Sequence, residues 1–197
     1  MTTGGECSAP GHKPNYEQVI GDLGLLDRLA RFDPVVIGTP PLGLSVDNSD
    51  IDVACSWPDL KQFSVTAARA FGSNENFSVS SEEIRGEPSS IASFRSHGWE
   101  IEVFCQNIAT DQQWGVRHFR VERRLLDIAP WLHATVLDLK RSGVKTEPAF
   151  ASALGLAGDP YEAVLELDRW SDAALRDLVE GSRPRPDNNL HPVVPND

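Results

Sequence analysis

The chain has 197 residues, a mass of 21.6 kDa and 40% apolar residues, enough to bury a core as one domain or as a main domain with a helical extension. Its net charge of −11, from 29 acidic against 18 basic residues, repels polyanions and argues against a long nucleic acid as partner, while a small nucleotide meets local cations rather than the average surface. With no run of about eighteen apolar residues and no basic start or apolar leader, neither a membrane span nor an export signal is expected, and the reading places the chain in the cytoplasm.

In chain order, residues 1–15 are rich in Gly, Pro and Ser and read as a flexible arm. "YEQVIGDLGLLDRLARF" places Val19, Leu23, Leu26 and Leu29 at helical spacing, and Pro34 ends that helix before the strand "VVIG". A Gly/Pro loop leads to a second strand, "SDIDVAC". "PDLKQFSVTAARAFG" then reads as a helix with Pro58 near its start and Gly72 at its end. "NFSVSSEEI", "SSIASFRS" and "WEIEVFCQ" are three strands, separated by Gly86 with Pro88 and by Gly98.

From Thr110 the pattern becomes helical, in "DQQWGVRHFRVERRLLDIA", "PWLHATVLDLKRSG", "PAFASALGL", "PYEAVLELDRW" and "DAALRDLVEG". Residues 183–197 form a Pro-rich tail without periodicity. The expectation is an α/β (α+β) core over residues 16–109, a mixed sheet flanked by helices, followed by a helical region over residues 110–182. The five tryptophans are scattered and read as packing residues rather than a stacking platform.

Successive side chains of a strand point to opposite sides, so "SDIDVAC" sets Asp50 and Asp52 on one face and Ile51, Val53 and Cys55 on the other. "WEIEVFCQ" repeats that design, with Glu100 and Glu102 against Ile101, Val103 and Cys105. Two such strands side by side build a carboxylate cluster. Clustered acids repel, and hard oxygen ligands at that density suit Mg2+ or Mn2+. Metals held in this way serve in-line nucleotidyl transfer. Cys7, Cys55 and Cys105 lack the spacing of a disulfide framework or a zinc site; free thiols are expected, with Cys55 and Cys105 buried.

Gly38-Thr39, Gly43, the run Ser49-Asp50-Ile51-Asp52 that begins its acids twelve residues after Gly38, and the later strand acid Glu102 resemble the glycine-turn and paired-acid pattern of the DNA polymerase β-like nucleotidyltransferase superfamily. "TDQQWGVRH", "ERRLL", "GVKTEPAFA" and "GDPYEAVL" extend the similarity to a family of small, functionally uncharacterised bacterial nucleotidyltransferase-like proteins, so that it covers roughly residues 16–170. The resemblance implies a nucleotidyltransferase-like fold, Mg2+ or Mn2+ as cofactor and an NTP as substrate. It assigns the metals to Asp50, Asp52 and Glu102, with Glu102 also positioning or deprotonating the acceptor hydroxyl, and gives the triphosphate to Gly38 and Thr39, with Ser49 beside them. The Gly-Thr pair is expected to open a helix whose amides favour phosphate. Two departures weaken that cradle: threonine replaces the usual serine or glycine, and "PPL" brings two prolines that lack amide donors.

Arg117 and His118 either reach phosphate or belong to an exposed polar stripe with Glu122. Lys145 is a further nucleotide-binding candidate at a loop and helix start, where capping alone accounts for Glu147. Three functional classes stand. One is a metal-dependent transferase moving a nucleoside monophosphate from an NTP to a hydroxyl of a small molecule or protein. The others are a nucleotide-binding module without turnover and an interaction protein, for example a toxin and antitoxin component that makes contact through its tail.

Overall fold

The computed structural model describes residues 13–183. Residues 1–12 and 184–197, which hold Cys7 and most of the expected arm and tail, lie outside the described residues. Residues 13–15, read as the end of the arm, are tied to the body: Lys13 donates to the Asp47 carbonyl at 2.7 Å, and the Pro14 carbonyl accepts from Trp99 Nε1 at 2.9 Å.

The expected first helix is two helices, α1 (Tyr16–Leu23) and α2 (Leu25–Leu29), followed by a short 3-10 turn over Ala30–Phe32. Its apolar periodicity runs through Gly24, but the glycine takes the left-handed conformation at φ +56° and breaks the axis there. Asn15 caps α1 by accepting from the Glu17 amide at 3.1 Å.

Strand β1 (Val35–Ile37) pairs antiparallel with β2 (Ile51–Ser56), and β2 pairs parallel with β5 (Trp99–Gln106). The crossover between those parallel strands contains α3 (Leu60–Phe71), capped by the Asp59 side chain, and a hairpin of β3 (Glu75–Ile84) and β4 (Glu87–Ser96). The sheet order is β1-β2-β5-β4-β3. Both expected glycine breaks are two-residue turns. Arg85-Gly86 joins β3 to β4 and His97-Gly98 joins β4 to β5, all four residues at positive φ, as hairpins of this length require.

The strand faces divide as alternation predicts. Ile51, Val53 and Cys55 of β2 stand in register with Ile101, Val103 and Cys105 of β5 and pack with Val19, Leu29, Phe63 and Phe71 of the first three helices. Cys55 and Cys105 are fully buried free thiols. Burial pushes both thiols up, Cys105 to about 12, so neither is a ready thiolate.

The helical half consists of α4 (Trp114–Ile128), α5 (Trp131–Arg141), α6 (Thr146–Leu154), α7 (Pro160–Glu166) and α8 (Asp172–Ser182). It forms a second core around Val121, Leu125, Leu132, Phe150, Val164 and Leu175. Leu42 and Leu44, from the loop after β1, insert into this second core, and His133 of α5 meets the Gly43 carbonyl at 3.0 Å. Leu42 and Leu44 thus tie the β1 side of the sheet, beside the acid-bearing strands β2 and β5, to the helices, which leaves a cleft between the two cores. Trp170 is 40% exposed, unlike the packing role expected of it.

Candidate active site

Asp52 and Glu102 are register partners on the parallel strands, and Asp50 precedes β2 by one residue. One carboxylate oxygen from each of these three residues lies within 4.8 Å of the other two. Asp50 and Asp52 are partly buried and Glu102 is exposed. Burial pushes the Asp52 carboxyl up to about 7, with Asp50, Glu102 and Glu147 adding to the rise. Glu102 is raised by burial and then by Asp50, Glu100 and Glu82, and partly relieved by a hydrogen bond from Ser93.

Gly38 lies directly against this cluster. Its φ is +77°, and a β-carbon there would fall on the Asp52 carboxylate. Thr39 donates to Ser49 Oγ at 3.2 Å, and that oxygen accepts from the Val46 amide at 2.9 Å, so the two residues clamp the loop in front of the acids. No α-helix follows the glycine as the resemblance led us to expect. Pro40–Leu42 makes a single 3-10 turn, in which the Leu42 and Leu44 amides return to the Thr39 carbonyl and the Gly43 amide to the Pro40 carbonyl. The prolines supply no donors and the next three amides are already used. This loop therefore offers phosphate far fewer backbone donors than a helix start.

Two cavities meet at Asp52. The first, of about 370 Å³, is lined by Gly38, Thr39, Ser49, Asp50 and Asp52 from the sheet side. From the helices come His118, Glu122, Lys140, Lys145 and Glu147. The second, of about 420 Å³, adds Glu102 to an apolar wall of Ile84, Ile91, Phe104 and Trp114.

The structure brings Asp50, Asp52, Gly38, Thr39, Ser49, His118 and Lys145 to the first cavity. It brings Glu102 and Arg117 to the second. Arg117 is not a free cation there, since its Nε donates to Asp168 at 3.0 Å, and Arg120 completes the pair at 2.7 Å. His118 is buried rather than on an exposed stripe. Desolvation, then the Arg85 and Arg117 charges, push its imidazole down to about 4, so the ring is neutral at ordinary pH.

Glu122, expected on that same exposed stripe, is 4% exposed and is held well above the usual carboxylate range by burial. The stripe faces inward, toward the cavity that Lys140 of α5 and Glu147 of α6 also line. Glu147 stands in the first turn of α6 without capping it. Lys140, which the sequence reading passed over, lines the first cavity and donates to Thr146 Oγ1 at 2.9 Å. Burial lowers its ammonium pKa against the pull of Glu122 and Glu147.

No helix among the described residues is long and apolar enough to cross a membrane. A family model described as a domain of unknown function (DUF4269) matches residues 18–167. No curated protein matches the chain. Among solved structures, Cid1 poly(U) polymerase in complex with the UTP analog UMPNPP gives a TM-score of 0.50 at 14% identity, covering 87% of this chain and 66% of that one. The MgGTP-bound Cid1 poly(U) polymerase gives 0.48 at 16% identity, covering 78% of this chain and 49% of that one. The chain thus spans about half to two thirds of the length of these structures. The likeness is one of fold: a mixed five-stranded sheet flanked by helices, as in nucleotidyltransferases.

Proposed function

We propose that this chain, which belongs to the DUF4269 family, is a metal-dependent nucleotidyltransferase that moves a nucleoside monophosphate from an NTP to a hydroxyl of a small molecule or protein. The observation that carries this reading is the convergence of Asp50, Asp52 and Glu102 against Gly38. Cid1 in complex with the UTP analog UMPNPP supports an NTP as the donor. The net charge of −11 speaks for a small or protein acceptor over a long nucleic acid.

The residues fit Mg2+ or Mn2+. Three carboxylates make a hard oxygen set, and Asp52, pushed up first by burial and then by the Asp50 and Glu102 charges, is a carboxylate that a cation would stabilise. Asp50 and Asp52 would hold the metal, with Glu102 completing the set. The bound ion supplies charge neutralisation at the transferring phosphoryl group and a lower pKa for the attacking hydroxyl.

The chain's own groups do the rest. Lys140 and Lys145 place positive charge in the first cavity, where the triphosphate is to lie, and Thr39 and Ser49 hold the loop against it. The acceptor enters the second cavity, along Ile91, Phe104 and Trp114. Glu102 stands at its polar end, able to orient the acceptor hydroxyl and take its proton, a role suited to a carboxylate of raised pKa.

The test is thermal melting with each NTP, with and without Mg2+ or Mn2+, on the parent, Asp52→Asn and Glu102→Gln, beside pyrophosphate release with cell extract as acceptor source. Metal and NTP together should raise the midpoint of the parent and of Glu102→Gln, while only the parent releases pyrophosphate. An undiminished response in Asp52→Asn would show the aspartates to be structural.

One observation favours a second reading, a nucleotide-binding module without turnover: the proline loop after Gly38 spends its amides on its own carbonyls. That reading predicts the same metal-dependent stabilisation with no pyrophosphate from the parent. The interaction-protein reading rests on the tail, which lies outside the described residues.

A further inference from the structure

Helix α4 buries a second constellation that the sheet carboxylates do not use. His118 is 3% exposed, and Glu122, one helical turn further on, 4%. Neither ring nitrogen of His118 has a hydrogen-bond partner, and neither does Glu122 Oε1. A neutral imidazole carries one donor and one acceptor, so a ring buried with both unmatched gives up hydrogen bonds that water would supply. A buried carboxyl oxygen left without a partner loses the same hydrogen bonds to water.

The Lys140 charge bears on Glu122 but makes no ion pair with it. Among the described residues no lysine or arginine nitrogen is within ion-pair distance of Glu122, and the Lys140 ammonium donates to Thr146. What does approach is Glu147, from the first turn of α6. One ligand-type atom each from His118, Glu122 and Glu147 lie within 4.8 Å of one another, and all three residues line the first cavity.

We propose that His118, Glu122 and Glu147 form a second cation site, separate from Asp50, Asp52 and Glu102, that takes a divalent ion of the zinc class. The donor set decides the class. Mg2+ prefers oxygen alone and keeps its water, whereas one imidazole nitrogen with two carboxylates suits Zn2+ or Co2+. Spacing of i and i+4 sets His118 and Glu122 on one face of α4, and Glu147 closes the set from a different helix. Three protein ligands leave a fourth position for water or a ligand group from the cavity. The ion gives the buried histidine and the buried glutamate the partner that both lack.

The probe is Zn2+ or Co2+ alone, applied to a variant without the sheet carboxylates, Asp50→Asn/Asp52→Asn/Glu102→Gln. After dialysis this protein should retain one ion per chain, show visible bands with Co2+, and melt at a higher temperature with the metal than without. Adding His118→Asn should abolish retention. Adding Glu147→Gln, a change at a partly exposed helix start that leaves the core intact, should weaken binding at least tenfold, so the question stays decidable if the histidine variant does not fold. Failure of the sheet-carboxylate variant to retain metal overturns the proposal. So does retention unchanged by Glu147→Gln, which would place the ion elsewhere. Since the readout is stoichiometry without the sheet carboxylates, the outcome is independent of nucleotidyl transfer.

Discussion

Gly38 and the Asp52 carboxylate share one packing space: the glycine has φ +77°, and the room a β-carbon would need is taken by the aspartate. A glycine that looks like a phosphate-loop residue in the sequence is also the wall against which a candidate metal ligand is placed. Gly38→Ala therefore acts twice. The left-handed backbone costs an L-residue about 1–2 kcal/mol, and the added methyl moves Asp52 out of the cluster. We expect a lower melting temperature together with a reduced Mg2+-dependent response to NTP, read by melting with and without both. An alanine variant that melts and responds like the parent would show the contact to be slack.

Asp52 also sets a pH dependence. In metal-free protein its carboxyl ionises only near 7, against an ordinary 3.8. Between those values the folded state keeps a proton that the unfolded chain has lost, so this group makes stability fall as pH rises through the window and level off above it. Asp52→Asn removes that slope. The variant should match the parent at the acidic end and exceed it by on the order of a few kcal/mol above the window. His118, pushed down to about 4, titrates with the opposite sign, which makes the variant-minus-parent difference the quantity to follow. Urea melts in chelator on either side of the window check it. Marked destabilisation of the variant at the alkaline end would contradict it.

Asp168 makes a contrasting case. Its side chain is 6% exposed and accepts from Arg117 at 3.0 Å and from Arg120 at 2.7 Å. Burial alone would raise its pKa, but the arginine hydrogen bonds outweigh burial and hold the carboxyl below the usual range. Asp168→Asn should lose about 1.5–3 kcal/mol, the worth of hydrogen bonds to charged groups. It should leave retention of metal unchanged, because Asp168 lines neither cavity. Denaturant melts and dialysis against metal measure the two effects separately. A loss of metal would mean that Arg117 belongs to the site after all.

Strand identity, the division of β2 and β5 into an acidic and an apolar face, and the burial of Cys55 and Cys105 were all legible in the sequence. Each rests on a period of two that the backbone imposes locally, whatever the strand's neighbours are. The two hairpin turns were legible for the same reason, since glycine marks positive φ without help from the rest of the chain. At Gly24 the same property worked against the reading. Continuous apolar periodicity predicted one helix, and the glycine let the backbone turn so that both pieces pack on the sheet.

The inner lining of the cleft was decided by tertiary structure alone. That Asp52 faces Glu102 depends on a parallel pairing across a crossover that carries a helix and a hairpin. Arg117 reads as a free cation until Asp168 arrives from the far end of the helical half. His118 and Glu122 show a polar face at i and i+4 spacing, a possible ligand pair in sequence terms. The same spacing describes a solvated stripe equally well, and only the packing of the helical half around α4 settles which face is covered. Periodicity records that a helix has two faces. Which of them loses its water is set by contacts between residues far apart in the chain, because the cost of burying a charge depends on what surrounds it rather than on its neighbours in sequence.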